Sequence, residues 1–277
     1  MQLSLPDDIS TTVARALQED IGTGDITAAL ITQEKQASAK LITREAAILC
    51  GIPWAVEVAS QLDPAIRIEW YAKDGDSLAI DAVVAQFSGS ARSLLSAERS
   101  MLNFLQTLSG TATFARRLRN LVAHTSVTLL DTRKTLPGLR SAQKYAVRTG
   151  GCSNHRMGLY DAFLIKENHI NACGTIAGAV SAARNLDPSK QVEIEVESLD
   201  QLHQAIAAGA DIVMLDNFAS AEMRQAVKVN TGRVKLEASG GIDEKSLVEI
   251  AETGVDFISV GALTKNCQAT DLSLRFD

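Results

Sequence analysis

The rhythm of apolar residues changes along the chain, and each change predicts a different architecture. Residues 9–19 carry apolar side chains at helical spacing, and a turn rich in glycine and aspartate, EDIGTGDIT, follows at 19–27. Short runs of strand type come next, at 38–43, 46–50, 66–71 and 83–89. A helix over 53–62 starts on Pro53, and KDGD at 73–76 is a turn signal. This part reads as α+β with a small antiparallel sheet. Residues 93–123 then keep a long helical pattern, with Leu94, Leu95, Met101, Leu102, Leu105 and Leu108 on its apolar face. Gly110 is expected to break it into two helices, with Glu98, Arg99 and Asn103 on other faces.

Beyond residue 123 short apolar runs alternate with helical segments. The runs fall at 127–130, 162–165, 192–196, 212–215, 234–238 and 257–260. One intervening helix, 199–208, has Ser198 and Gln201 as a capping box and Gly209 as its stop; another, 244–252, is capped by Asp243 and closed by Gly254. Repeated strand–helix units predict a parallel barrel, and six strands with a possible seventh predict an incomplete one. Two strands stop abruptly on polar residues. The first passes into Asp131, Thr132, Arg133 and Lys134, the second into Lys166, Glu167, Asn168 and His169, with GGCSNHR at 150–156 between them. In a β/α barrel such transitions mark the functional, C-terminal rim.

Composition narrows the ligand. The chain has 277 residues, 46% of them hydrophobic, enough for a large core in one long domain or two shorter ones. Its net charge of -6 argues against nucleic acid or an anionic membrane as the main partner. Arg133, Lys134, Arg140, His155, Arg156 and Lys166 run against that background, so a small, highly anionic ligand is expected at the rim. No apolar run is long enough to span a bilayer, and MQLSLPDDIS has neither the basic start nor the apolar segment of a secretory signal. Cys50, Cys152, Cys173 and Cys267 form no CxxC pair, which predicts reduced thiols in the cytoplasm and no zinc site.

Two local patterns sharpen this expectation. In VEIEVE at 192–197 the side chains of Glu193, Glu195 and Glu197 share one face. A parallel barrel strand has no solvent-facing side, so these carboxylates are expected inside, partnered by the basic residues or by a divalent metal. ASGGID at 238–243 and VGALT at 260–264 each follow an apolar strand near the end of the chain. Small residues there let backbone N–H groups approach a phosphate. His124, His155, His169 and His203 belong to no serine or cysteine nucleophile motif.

Three longer motifs then become specific: DTRKTLPGLR at 131–140, NHRMGL at 154–159 and LIKENH at 164–169. With GDIT at 24–27, AER at 97–99, NFLQ at 103–106, LSG at 108–110, MLDN at 214–217 and SGG at 239–241, they closely resemble the quinolinate phosphoribosyltransferases, the decarboxylating nicotinate-nucleotide pyrophosphorylases. The matches fall in the family's order along nearly the whole chain, and Cys152 is the one loop position that departs from many relatives. The resemblance implies an N-terminal α/β open-faced sandwich over 1–110, to which a tail at 268–277 returns, and an incomplete, about seven-stranded α/β barrel over 111–267. It implies that quinolinate and phosphoribosyl pyrophosphate give nicotinate mononucleotide, pyrophosphate and carbon dioxide, with Mg²⁺, in a homodimer. By the same match Arg133, Arg156 and Lys166 hold quinolinate's carboxylates, with Thr132 and His155 beside them. Lys134 and Lys166 neutralise phosphates, and Glu195 and Asp216 hold Mg²⁺ or the ribose hydroxyls. Ser239, Gly240, Gly241, Val260 and Gly261 hold the 5′-phosphate, and Arg99 reaches the partner subunit's site. The competing readings are a nicotinate-specific enzyme, a related transferase-like protein of molybdenum uptake operons, and a barrel that binds a phosphorylated anion without turnover.

Overall fold

The protein is described by a computed structural model covering residues 4–277; Met1, Gln2 and Leu3, on which the absence of a secretory signal was partly read, lie outside the described residues. In chain order the elements are α1 (Ile9–Ile21), β1 (Gln36–Thr43), β2 (Ala47–Ile48), α2 (Ile52–Leu62), β3 (Arg67–Trp70), β4 (Ser77–Leu78), β5 (Val83–Ser90) and α3 (Ala91–Leu121). Then follow β6 (Thr128–Leu130), α4 (Arg140–Thr149), β7 (Phe163–Ile165), α5 (Glu167–Cys173), α6 (Ile176–Leu186), β8 (Val192–Val196), α7 (Leu199–Ala208) and β9 (Ile212–Asp216). The last are α8 (Ser220–Asn230), β10 (Lys235–Ser239), α9 (Glu244–Ala251), β11 (Phe257–Ser259), α10 (Ala262–Lys265) and β12 (Leu272–Phe276). They form two compact units: one of residues up to Arg117, Thr135–Gly151 and Leu263–Asp277, the other of Leu118–Lys134 and Cys152–Ala262.

The first unit is built on an antiparallel sheet of order β12-β1-β5-β3. Alternation along β1 sends Ala39, Leu41 and Thr43 inward, and Leu41 stands in register with Leu274 on one side and Ala85 on the other. Trp54 from α2, Phe87 from β5 and Leu94, Met101 and Leu105 from α3 fill the core behind this face. The indole of Trp54 meets the ring of Tyr145 at 5.3 Å, and Ala142 and Ala146 bury themselves beside it. Helix α4, which the sequence grouped with the barrel through the boundary at 110, therefore packs into this core.

Helix α3 runs unbroken for 31 residues, so the expected break at Gly110 does not occur. A Cβ at Gly110 would lie 1.9 Å from the backbone oxygen of Gln268. The glycine is there because the C-terminal segment crosses the helix at backbone distance, not because the helix stops.

The second unit is a six-stranded parallel sheet of order β6-β11-β10-β9-β8-β7. Among the described residues a single parallel bridge from Leu130 to Ser153 is all that stands in place of a seventh strand, so the barrel is incomplete, as its α/β pattern predicted. Three of its helices, α6, α7 and α9, start on side-chain caps: Thr175 Oγ1 accepts the N–H of Gly178, Ser198 Oγ that of Gln201, and Asp243 those of Lys245 and Ser246. One expectation fails here: β8 ends at Val196, and Glu197 is exposed beyond it, so only Glu193 and Glu195 share the inward face.

Candidate active site

The C-terminal ends of the barrel strands enclose a cavity of about 330 Å³, lined by Thr132, Arg133, Lys134, His155, Arg156, Leu164, Lys166, Met214, Ser239 and Ser259. Four of these side chains are permanent or near-permanent cations converging from three segments. Arg133 and Lys134 follow β6, Lys166 follows β7, and Arg156 comes from the loop between. That loop is fastened to the end of β6. The N–H of Ser153 donates to the Leu129 carbonyl at 2.8 Å, and the N–H of Asp131 to the Ser153 carbonyl at 3.1 Å. The fully buried carboxylate of Asp131 accepts the amide of Asn154 at 2.6 Å and the N–H of His155 at 2.9 Å. Asp161 closes the far side by accepting the N–H groups of Met157 and Gly158.

Across the strands Glu195, Met214 and Glu237 stand in register, as do Asp216 and Ser239. Burial rather than register divides the acids on the inward faces of β8, β9 and β10 into a more exposed level and a buried one. The exposed level holds Glu195, ion-paired with Lys166, and Asp216. Burial and the neighbouring Glu195 push the Asp216 carboxyl up, while Lys166 and Lys134 draw it back. The buried level holds Glu193 and Glu237, 3% and 0% exposed. His155 bridges them, with Nε2 3.0 Å from Glu193 and 3.6 Å from Glu237. Burial and then the adjacent Arg133 lower the affinity of Arg156 for its proton; Glu193 and Asp161 oppose this. The repulsion between the two neighbouring guanidiniums is thus offset at Arg156 by Glu193 and Asp161.

The two glycine-rich turns are equally defined. Gly240 has φ +108°, and a Cβ there would lie 2.2 Å from Asn217 Oδ1. Gly241 also takes a positive φ, of +57°. A Cβ at Gly261 would meet the Lys134 chain at 3.1 Å, so the lysine lies over the glycine.

Several residues read from the sequence stand elsewhere. Val260 is 2% exposed and gives its N–H to the Leu130 carbonyl at 2.9 Å, so it offers the cavity neither side chain nor donor. Arg140, expected on the rim, belongs to the first unit, where its Nε donates to Thr135 Oγ1. Arg99 is exposed on α3 and is not among the lining residues. His169 is a helix cap, its Nδ1 accepting the N–H of Lys166. Glu237, Leu164, Met214 and Ser259 were not singled out as site residues. Glu237 was findable: it takes an inward position of the strand Lys235–Ser239 by the parity argument already used for Glu193.

Models of the quinolinate phosphoribosyl transferase N-terminal and C-terminal domains match residues 25–109 and 111–275. A curated relative from Bacillus subtilis, a probable nicotinate-nucleotide pyrophosphorylase (carboxylating), is 43% identical over 257 residues, 92% of this chain and 89% of its own. A quinolinate phosphoribosyltransferase (decarboxylating) of Nicotiana tabacum is 35% identical over 98% of this chain and 83% of its own. The solved structure of the nicotinate-nucleotide pyrophosphorylase from Francisella tularensis matches with a TM-score of 0.96 and 54% identity, covering 99% of this chain and 98% of that one. With its two domain models matched in order and full-length relatives at this identity, the chain belongs to the quinolinate phosphoribosyltransferase family.

Proposed function

We propose that the chain transfers the phosphoribosyl group of phosphoribosyl pyrophosphate to quinolinate with loss of carbon dioxide, giving nicotinate mononucleotide and pyrophosphate. The observation that carries this reading is the convergence of Arg133, Lys134, Arg156 and Lys166 on one cavity, a cation set matched to a dicarboxylate beside a polyphosphate. Arg133 and Arg156 take quinolinate's carboxylates, with Thr132 and His155 at their sides. Lys166 and Lys134 face the charge that moves as the ribosyl–pyrophosphate bond breaks. Ser239, Gly240, Gly241 and Gly261 receive the 5′-phosphate. Such a displacement needs no protein nucleophile; positioning and stabilisation of charge in an oxocarbenium-like state suffice.

Glu195 and Asp216 fit Mg²⁺. They are hard oxygen donors, half-buried on the neighbouring strands β8 and β9, and the push that Glu195 exerts on the Asp216 carboxyl is what a cation relieves. When bound, Mg²⁺ neutralises pyrophosphate oxygens. The chain works as a homodimer in which the exposed Arg99 completes the partner's site, in the cytoplasm. Among the described residues no helix is long and apolar enough to cross a membrane.

The test is release of the 2-carboxyl carbon as carbon dioxide, with nicotinate mononucleotide formed from quinolinate and phosphoribosyl pyrophosphate. Quinolinate should be preferred over nicotinate by at least about a hundredfold, since losing one carboxylate leaves a half-buried guanidinium unpaired. Comparable turnover of nicotinate favours the nicotinate-specific enzyme, and binding without turnover favours the non-catalytic barrel.

A further inference from the structure

The KDGD turn at 73–76, which the proposed reaction does not use, forms part of the wall of a second cavity. This cavity is built by the first unit alone, around the start of α2 and the end of α4. Lys73, Arg116 and Arg148 line it, and Ile52, Pro53 and Tyr145 give it an apolar wall. Backbone carbonyls hold the two guanidiniums in place. Arg116 donates from Nε to Gly150 at 3.0 Å and from Nη2 to Thr149 at 3.4 Å, and Arg148 donates from Nη2 to Ser4 at 2.8 Å.

These cations lack a counter-charge. Among the described residues no carboxylate lies within ion-pair distance of Lys73, Arg116 or Arg148. The acid in the lining, Asp74, is committed elsewhere: it accepts the N–H of Gly51 at 3.2 Å, that of Ile52 at 3.1 Å and the Tyr145 hydroxyl at 2.9 Å. Arg148 Nε is buried with no acceptor among the described residues, and Nη1 reaches only Ser4 Oγ, at 3.4 Å. A buried donor left open costs stability, and like charges gathered on one concave surface repel. The chain carries 33 acids against 27 lysines and arginines, so a cluster of bases without acids is not what its composition supplies by default.

We propose that this cavity binds a small organic phosphate, its phosphoryl oxygens on Lys73, Arg116 and Arg148 and its apolar body against Ile52, Pro53 and Tyr145. Two guanidiniums and an ammonium suit a phosphate dianion; a carboxylate is satisfied by one guanidinium. The cavity measures about 690 Å³, against about 330 Å³ at the barrel strand ends, so there is room for a body beyond the phosphoryl group. The two cavities share no lining residue, and the second site stands whether or not the first takes quinolinate.

The measurement is calorimetric titration of the full chain with inorganic phosphate and with phenyl phosphate, without Mg²⁺. The background is the Lys134→Ala, Lys166→Ala double variant, whose strand-end cavity has lost two of its cations. Phenyl phosphate should still bind there at one site per chain, roughly tenfold tighter than inorganic phosphate, because its ring buries apolar area against the wall. Lys73 is exposed and its side chain makes no hydrogen bond among the described residues, so Lys73→Glu leaves the fold intact. Added to the background, it should weaken phenyl phosphate by roughly tenfold or more, since it reverses one of three charges. Arg148→Gln, which keeps a donor for Ser4, should weaken it likewise. No binding in the background variant, or binding that Lys73→Glu and Arg148→Gln both leave unchanged, overturns the proposal. Equal affinity for the two probes overturns the organic body. Turnover of quinolinate plays no part in this readout, so failure here leaves the proposed reaction standing.

Discussion

At the residue scale, exposure separates side chains that act from side chains that hold. Lys134 and Lys166 are exposed at the cavity mouth, so the core loses nothing when either is shortened. Lys134→Ala and Lys166→Ala should each lower kcat/KM by roughly a hundredfold or more, because each removes a charge facing an anion. Their melting temperatures should stay at the wild-type value; normal kinetics in both variants would reduce the lysines to surface charges. Glu195→Ala or Asp216→Ala should raise the Mg²⁺ concentration needed for half-maximal activity, since Mg²⁺ held by two carboxylates and substrate loses one of few protein ligands. A metal titration identical to wild type would assign these acids another role. Most of these residues were readable from the sequence because a charge at the end of an apolar run is conspicuous. Glu237 was less conspicuous, because a lone glutamate inside VKLEAS looks like strand polarity until the parity argument used for Glu193 is applied to it.

At the scale of elements, what periodicity can see was seen and what depends on remote chain was not. The strand at 192–196 and the capped helices α7 and α9 follow from local pattern and local hydrogen bonds. Helix α4 has a strongly polar sequence, RSAQKYAVRT, yet Ala142, Tyr145, Ala146 and Val147 are buried, a fact set by core residues such as Trp54 nearly a hundred positions earlier. Gly110 failed for the same reason: a glycine inside a helical pattern signals either a break or a close approach, and only the approaching segment decides. Gly110→Ala tests this. Helix propensity alone would stabilise the variant by up to about 1 kcal/mol. The 1.9 Å approach to the Gln268 oxygen instead demands a backbone shift, with a net loss of about 1–3 kcal/mol expected in urea denaturation. A variant as stable as wild type would mean the crossing segment yields freely.

At the scale of the whole molecule, the proposed dimer makes a quantitative demand on mixed subunits. If Arg99 completes the partner's site, Arg99→Ala and Lys134→Ala homodimers are each nearly inactive, because every site lacks one group. Exchanged, they form heterodimers with one doubly damaged site and one intact site. Random pairing makes about half the dimers mixed, so about a quarter of wild-type activity should return. No recovery despite demonstrated exchange would place Arg99 in its own subunit's chemistry or outside it. The chain's connectivity has a further consequence, for synthesis. Strand β1 starts at Gln36, whereas its neighbour β12 starts at Leu272, more than two hundred residues later. At about 5–20 residues per second a ribosome takes roughly 10 to 50 s to supply that partner. Throughout this interval every strand of the parallel barrel can emerge and pair, while β1 shows an open edge and leaves the places of Leu272 and Leu274 unfilled. A nascent chain stalled before Leu272 should therefore be captured by holding chaperones through its first unit, and be released from them only when the final strand has been translated.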